Sequence, residues 1–239
     1  MNKKAESEML ARRAQQVQRG AARAAVLGVN DGLVSTLCIV LAVAGAGASP
    51  HSVLLAGFAG LIAGAVSMAA GEWISVRAQV ELFGGILSDV KKLIREDREL
   101  LIEQITKSLS ETGHGNKTAV KAAQEIAADD KHLGDVYARQ VMGFNPDELG
   151  SPWIAAASSF VLFTAGALVP LSPWFFGGGA VAIWASIILT GVASLIVGGY
   201  ISVSSGKSAV HGALRQLGIV LLASVVTYGV GYLFGVSVG

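Results

Sequence analysis

Two acidic side chains lie inside long apolar stretches of this sequence. Asp31 follows Asn30 in the first stretch, and Glu72 lies in the second, four residues after Met68. Residues four apart share one face of a helix, so Met68 and Glu72 are expected one turn from each other. An ionisable residue inside a membrane segment is costly and is by default a candidate functional residue. Both carboxylates are therefore candidates for binding a cation.

The residue types restrict which cation this would be. Carboxylates suit Mg²⁺, Ca²⁺ and Mn²⁺, whereas a thioether favours softer transition ions. Asp31 together with Met68 therefore fits a borderline ion such as Fe²⁺, and the amide oxygen of Asn30 is a further possible ligand. The triplet of Asn30, Asp31 and Gly32 reads as a turn, which inside a membrane predicts a locally loosened helix with free carbonyl groups.

Each of these residues also has a structural interpretation. Asp31 could simply bond Ser35 or a neighbouring helix, and Met68 could be core packing. Glu72 could form an ion pair at the membrane surface with Arg77 or Arg23. These alternatives stay open on the sequence alone.

The composition predicts the elements that hold these residues. The chain has 239 residues, of which 52% are hydrophobic and only 15% charged, against about 25% charged in soluble domains. We predict an all-α polytopic membrane protein with five transmembrane helices and a helical cytoplasmic insert between helices 2 and 3. The apolar segments lie at about 21–46, 52–76, 153–171, 178–203 and 214–236. Each is near the roughly 20 residues needed to cross the hydrocarbon core.

These segments divide the chain into four parts. Residues 1–20 form an N-terminal segment, 21–76 hold helices 1 and 2, 77–151 form the insert, and 152–239 hold helices 3 to 5. All 18 Lys and Arg residues fall on, or at the edge of, the side that receives the N-terminus, the insert and the loop at 204–213. The positive-inside rule makes that side cytoplasmic and places the C-terminus outside. The single Cys38 excludes an internal disulfide, and we expect no nucleic-acid partner and no prosthetic group.

The insert carries two further groups of possible metal ligands. We predict helices at 79–110, continuing the second span, and at 117–142, with Asn116 as N-cap. On them, two sets of residues at helical spacing would each share a face: Glu96, Glu99 and Glu103, and Glu125, Asp129 and His132. The second set resembles the Glu-x-x-His pattern of carboxylate metal bundles. The alternative is a solvated face with pairs such as Glu103–Lys107.

Spans 2 and 4 resemble each other. A shift of 127 residues aligns Gly64, Ser67 and Gly71 with Gly191, Ser194 and Gly198, and residues 74–76 with 201–203. This suggests that spans 1–2 and 3–4 form a parallel repeat, as in some transporters. Gly60 and Gly64 also form a small-residue stripe, which predicts close approach of another helix backbone.

Four stretches identify a family resemblance. They are residues 28–36 (Gly-Val-Asn-Asp-Gly-Leu-Val-Ser-Thr), 63–79 (Ala-Gly-Ala-Val-Ser-Met-Ala-Ala-Gly-Glu-Trp-Ile-Ser-Val-Arg-Ala-Gln), 146–153 and 166–171. The chain resembles the vacuolar iron transporter family, which includes the nodulin-21-like proteins. The resemblance implies a five-span homodimer with the ion path between protomers, and export of Fe²⁺, often also Mn²⁺, from the cytosol in exchange for protons.

The family's membrane aspartate and methionine correspond to Asp31 and Met68. Plant members also have a glutamate two turns before the methionine, where this chain has Gly60, and Glu72 belongs to the bacterial-type motif. The family's first set of paired glutamates in the insert is replaced here by the stretch at 84–93.

These observations predict a homodimeric divalent-metal/proton antiporter that exports Fe²⁺ or Mn²⁺ across a bacterial plasma membrane. The rival class is a non-transporting membrane scaffold or metal sensor with the insert as interaction module. Transport of another solute is a third possibility.

Overall fold

The computed structural model describes residues 20–113, 115–143, 145 and 150–238, with backbone alone for 20–25 and 236–238. The predicted N-terminal segment therefore lies outside the described residues, except for Gly20. The α-helices are α1 (Gly20–Gly45), α2 (Pro50–Glu96), α3 (Arg98–Glu111), α4 (Asn116–Ile126), α5 (Asp130–Gln140), α6 (Pro152–Leu171), α7 (Gly179–Ser204) and α8 (Ala209–Val238). A short 3-10 helix, Ser172–Phe175, follows α6.

Five helices in the described part of the chain are long and apolar enough to cross a membrane. The candidate spans are Val26–Gly45, Pro50–Glu96, Pro152–Phe175, Gly179–Ser204 and Ala209–Gly235. Each overlaps one of the predicted apolar segments. The predicted fold class, five transmembrane helices with a helical insert after the second, is therefore confirmed.

Two compact units make up the chain. One comprises Met1–Ile74 with Pro152–Gly239, and the other comprises Ser75–Ser151. Helix α2 belongs to both, because it continues without interruption for 47 residues. The prediction that the second span extends into the first helix of the insert is thus confirmed.

Helix α1 is the centre of the membrane unit, and it touches α6 most closely. A Cβ atom at Gly32 would lie 2.2 Å from the carbonyl oxygen of Phe163, and one at Gly166 would lie 2.3 Å from that of Val29. Gly28 meets Ser159, and Gly32 meets Ala167, so residue numbers rise together along the two helices. Helices α1 and α6 therefore run parallel, with backbones in direct contact that only glycine permits.

Helix α8 packs against α1 in the same direction. Asn30 bonds Gln216, and the backbone of Ala42 would meet a Cβ atom at Gly231 at 2.0 Å. Helix α7 runs opposite to α8, because Gly191 meets Leu217 whereas Gly198 meets Gly212. These directions agree with a chain that crosses the bilayer at every span.

Helix α2 contacts its neighbours in the membrane unit through side chains. The ring of Phe163 occupies the space beside Gly64, and the side chain of Ile39 occupies the space beside Gly60. The prediction that these glycines admit another backbone is therefore wrong within the protomer. The stripe does face protein, but it accommodates two bulky side chains from α6 and α1.

The insert is built from shorter helices than predicted. The predicted helix at 79–110 breaks at Asp97, whose carboxylate caps α3 by accepting from the backbone N–H of Leu100 at 3.2 Å. The predicted helix at 117–142 divides into α4 and α5. Asp129 caps α5, and Gly115 replaces Asn116 as the N-cap residue of α4. Both breaks coincide with Asp, which favours N-caps because its side chain satisfies a free backbone donor.

The insert has its own apolar core. Val90, Ile94, Leu101, Ile105 and Leu133 are buried in it. Helix α5 reaches this core because Gly134 lies against Ile94 and Val90 of α2, 3.5 and 3.9 Å from a Cβ position.

Polar bonds at the end of α4 hold the insert helices together. Arg98, on α3, donates to the Asp130 carboxylate and to the carbonyl oxygen of Ala127. One side chain thus joins the start of α3 to the junction between α4 and α5.

Candidate metal site

Asp31 lies on an unbroken helix with an exposed side chain. Helix α1 continues through Asn30, Asp31 and Gly32, so the predicted loosening of the helix is wrong. The reason is local: Gly32 is needed for contact with Phe163, not for a turn. Ser35 does bond Asp31, but its hydroxyl donates to the Asp31 backbone carbonyl and leaves the carboxylate free of that bond.

Asn30, the residue before Asp31, is half-buried and contacts another helix of the protomer. Its side-chain oxygen accepts a hydrogen bond from the side-chain amide of Gln216 on α8. Gln216 is only 7% exposed. The sequence reasoning missed it, although the signal was present: a glutamine within an apolar membrane segment is as conspicuous as a carboxylate, because its amide needs a partner there.

Met68 and Glu72 share one face of α2, as predicted from their spacing. Met68 is half-buried and packs against the apolar cluster that contains Leu61, Ala65 and Phe163. Glu72 lies one turn further along and is half-buried as well. Arg77, a possible ion-pair partner for Glu72, donates instead to Glu81 at 2.5 Å, and the side chain of Arg23 lies outside the described residues.

A single residue, Phe163, contacts both helices that bear Asp31 and Met68. Phe163 touches Gly32 with its backbone and Gly64 with its ring. Asp31 adjoins Gly32 in sequence, and Met68 lies one turn beyond Gly64. The described residues include no group of three or more His, Cys, Asp or Glu side chains that could hold a metal ion.

The first predicted ligand set of the insert is divided between helices. Glu96 ends α2, whereas Glu99 and Glu103 lie on α3, beyond the break at Asp97. Glu96 pairs with Lys92 at 3.8 Å. The prediction of one continuous acidic face is therefore wrong, because it assumed an unbroken helix.

The second set is divided in the same way. Glu125 is on α4 and pairs with Lys121 at 3.9 Å, whereas Asp129 caps α5. The Asp129 carboxylate accepts from the backbone N–H of His132 at 2.9 Å. One carboxylate oxygen of Asp129 is thus engaged in capping α5, and the predicted shared helix face does not form.

Comparison with known proteins identifies the family. A model of the VIT family matches residues 22–232. The chain belongs to the VIT family. The resemblance drawn from the sequence stretches around Asp31 and Met68 is therefore confirmed, and with it the expectation of a transporter rather than an enzyme.

Relatives with similar sequences span most of this chain. A rice protein (Oryza sativa subsp. japonica) named vacuolar iron transporter homolog 1 is 33% identical over 218 residues, covering 89% of this chain and 73% of its own length. An Arabidopsis thaliana protein named vacuolar iron transporter homolog 2 is 32% identical, covering 89% and 84%. A protein of Acanthamoeba castellanii named vacuolar iron transporter is 30% identical, covering 88% and 77%.

Proposed function

We propose that this VIT-family protein exports Fe²⁺, and also Mn²⁺, from the cytosol in exchange for protons, through a path between two copies of the chain. Asp31 and Met68 are the central ligands in this proposal. Glu72 receives the ion at the cytoplasmic mouth. Asn30 supports the site from within the protomer. The family membership supports metal transport, and the path rests on the observations that follow.

The exposed carboxylate of Asp31 carries the proposal. Its helix is apolar enough to cross a membrane, yet the side chain is exposed on the protomer surface. A charged side chain at the centre of a lipid-facing helix costs about 2.5–3.5 kcal/mol on insertion scales. Protein or water must therefore cover Asp31 in the assembled transporter.

The sequence resemblance between spans 2 and 4 suggests what covers the exposed surface of α2. On α7, Ser194 and Gly198 are buried, and Gly198 is in backbone contact with α8. On α2, the matching residues Ser67 and Gly71 are exposed, and no atom lies within 4 Å of a Cβ position at Gly71. Ser194 and Gly198 thus lie against a helix of the same protomer, whereas the stripe formed by Ser67 and Gly71 on α2 is open. A second copy of the chain would fill it.

The ligand chemistry favours Fe²⁺ and provides the coupling. A carboxylate with a thioether suits a borderline transition ion better than Ca²⁺. Protons and metal ions compete for the same carboxylate, because each neutralises its charge. A proton that binds Asp31 would therefore displace the metal ion and end one transport cycle.

The proposed orientation in the membrane rests on charge placement. The basic residues gather in the insert and beside the first span, which makes that side cytoplasmic by the positive-inside rule. The bacterial-type stretch at 63–79 supports a bacterial plasma membrane as the location, and the charge placement supports a C-terminus on the outside. Export from the cytosol is the direction that the family resemblance implies.

Flux into proteoliposomes tests the function. Fe²⁺ uptake should require a pH gradient, and should fall to background in Asp31→Asn and in Met68→Leu. Matched controls use the same substitutions in the insert, Asp89→Asn and Met142→Leu, and should retain uptake. Full flux in Asp31→Asn would remove that residue from the path. No flux for Fe²⁺, Mn²⁺ or any other divalent ion in the unsubstituted protein would favour the scaffold or sensor class instead.

Cross-linking in membranes tests the dimer. Gly71→Leu places a large side chain on the open stripe, and should abolish cross-linking between copies. Gly218→Leu is the control, since Gly218 on α8 also has no atom within 4 Å of its Cβ position. Equal cross-linking in both variants would contradict a dimer through this stripe.

A further inference from the structure

Gln216 occupies the point where three membrane helices meet. Its side-chain amide donates to Asn30 on α1. Its own Cβ atom lies 2.7 Å from the position that a Cβ at Gly198 of α7 would take, so glycine is required there. An aliphatic residue would fill the same space without needing a partner. The glutamine therefore serves the bond to Asn30 rather than the packing.

That bond contributes to fixing the rotation of α1 beside the candidate metal ligand, in addition to the backbone contacts with α6 and α8. Asn30 and Asp31 are consecutive, so their side chains leave the helix about 100° apart. Turning α1 to move Asp31 would pull Asn30 away from Gln216. Because Gln216 is buried between helices, water does not replace the lost bond, and the rotated state is disfavoured.

We propose that Gln216 is a positioning residue for metal binding, which holds Asp31 toward the ion path by bonding Asn30. The inference rests on the proposed function, in which Asp31 is a ligand. Gln216 itself does not bind the ion in this scheme, since it lies inside the protomer while Asp31 lies on its surface. It acts on metal affinity through the orientation of α1.

A double-substitution cycle in the full-length protein tests this role. Gln216→Leu and Asn30→Leu should each raise the KM for Fe²⁺ uptake by roughly three- to tenfold, as loss of one interhelical hydrogen bond predicts. The maximal rate should change little. The double variant should show the same KM as either single variant, because both remove one bond. Ser224→Ala is the control: Ser224 is buried on the same helix, but bonds only Val220 one turn back. Its KM should be unchanged.

A second measurement does not depend on transport. In a Cys38→Ala background, Asp31→Cys introduces a thiol at the exposed position, and a membrane-impermeant maleimide reports its accessibility. Adding Gln216→Leu should change the labelling rate several-fold, and adding Ser224→Ala should not.

The two measurements separate the possible failures. An unchanged KM in Gln216→Leu, or additive effects in the double variant, would overturn the positioning role. An unchanged labelling rate at position 31 in Gln216→Leu would also overturn the positioning role. If the unsubstituted protein moves no divalent ion while labelling still responds to Gln216→Leu, the proposed function fails, but Gln216 still orients position 31.

Discussion

The direct backbone contact between α1 and α6 makes Gly32→Ala a demanding test of the fold around Asp31. A Cβ atom at this position would lie 2.2 Å from the Phe163 carbonyl oxygen and 2.9 Å from the Ala167 amide nitrogen. Carbon and oxygen atoms normally approach to about 3.3 Å. Both obstructing atoms belong to the backbone, so no side chain can rotate away, and the two helices must separate by about 1 Å.

The expected change in the free energy of unfolding is the difference between two opposing effects. Overpacking of this kind costs about 1–3 kcal/mol, and alanine regains up to about 1 kcal/mol as the better helix former. The net loss is then up to about 2 kcal/mol, which corresponds to a Tm lower by up to about 8 °C for a chain of this size. Fe²⁺ uptake should also fall, because the displaced residue adjoins Asp31.

Thermal unfolding in detergent, followed by size-exclusion chromatography, measures the effect. Gly218→Ala is the matched control, since it makes the same chemical change in a membrane helix where no atom lies within 4 Å. Its Tm should stay the same or rise by a few degrees. If Gly32→Ala and Gly218→Ala have equal Tm values, α1 and α6 are not in backbone contact and the packing argument is refuted.

Two further predictions concern polar bonds. Ser186→Ala should lower stability by about 1–3 kcal/mol, because Ser186 accepts from Trp174 Nε1 at 3.0 Å and donates to the Pro170 carbonyl at 2.7 Å. The same thermal assay checks this, and an unchanged Tm would contradict the bonding scheme. Arg98→Ala should speed hydrogen exchange of the α4–α5 amides by roughly three- to tenfold, since it removes the bonds to Asp130 and Ala127. Equal exchange in both proteins would show that Arg98 does not support this junction.

The membrane spans could be predicted from the sequence, because length and apolarity alone decide whether a helix can cross a bilayer. The breaks between the helices of the insert could not be predicted in this way. Asp97 and Asp129 are the capping residues, but nothing in the helical periodicity around them distinguishes a cap from an exposed aspartate. The periodic pattern continues through both aspartates, so the positions of the breaks depend on packing in the core of the insert.

The candidate site, too, has features that the sequence could indicate and features that it could not. Asp31 could be proposed as a ligand because a carboxylate is rare in an apolar helix, and Met68 could be proposed from the family resemblance. The role of Gly32 was misread, since a glycine after Asn and Asp suggests a turn until the carbonyl of Phe163 is found against it. Gln216 lies 186 residues from its partner Asn30, and no local pattern connects residues so distant in sequence.

Phe163 has a consequence for ion selection. Its backbone lies against the helix that bears Asp31, and its ring lies against the helix that bears Met68. The Phe163 side chain, which is not a candidate ligand, therefore sets the distance between α1 and α2. A smaller residue would let α2 settle nearer to α6, and a larger one would hold it further away, with both candidate ligands unchanged. If Asp31 and Met68 bind the ion together, as in the proposed function, substitutions at position 163 should change the preference for ion size without touching either ligand.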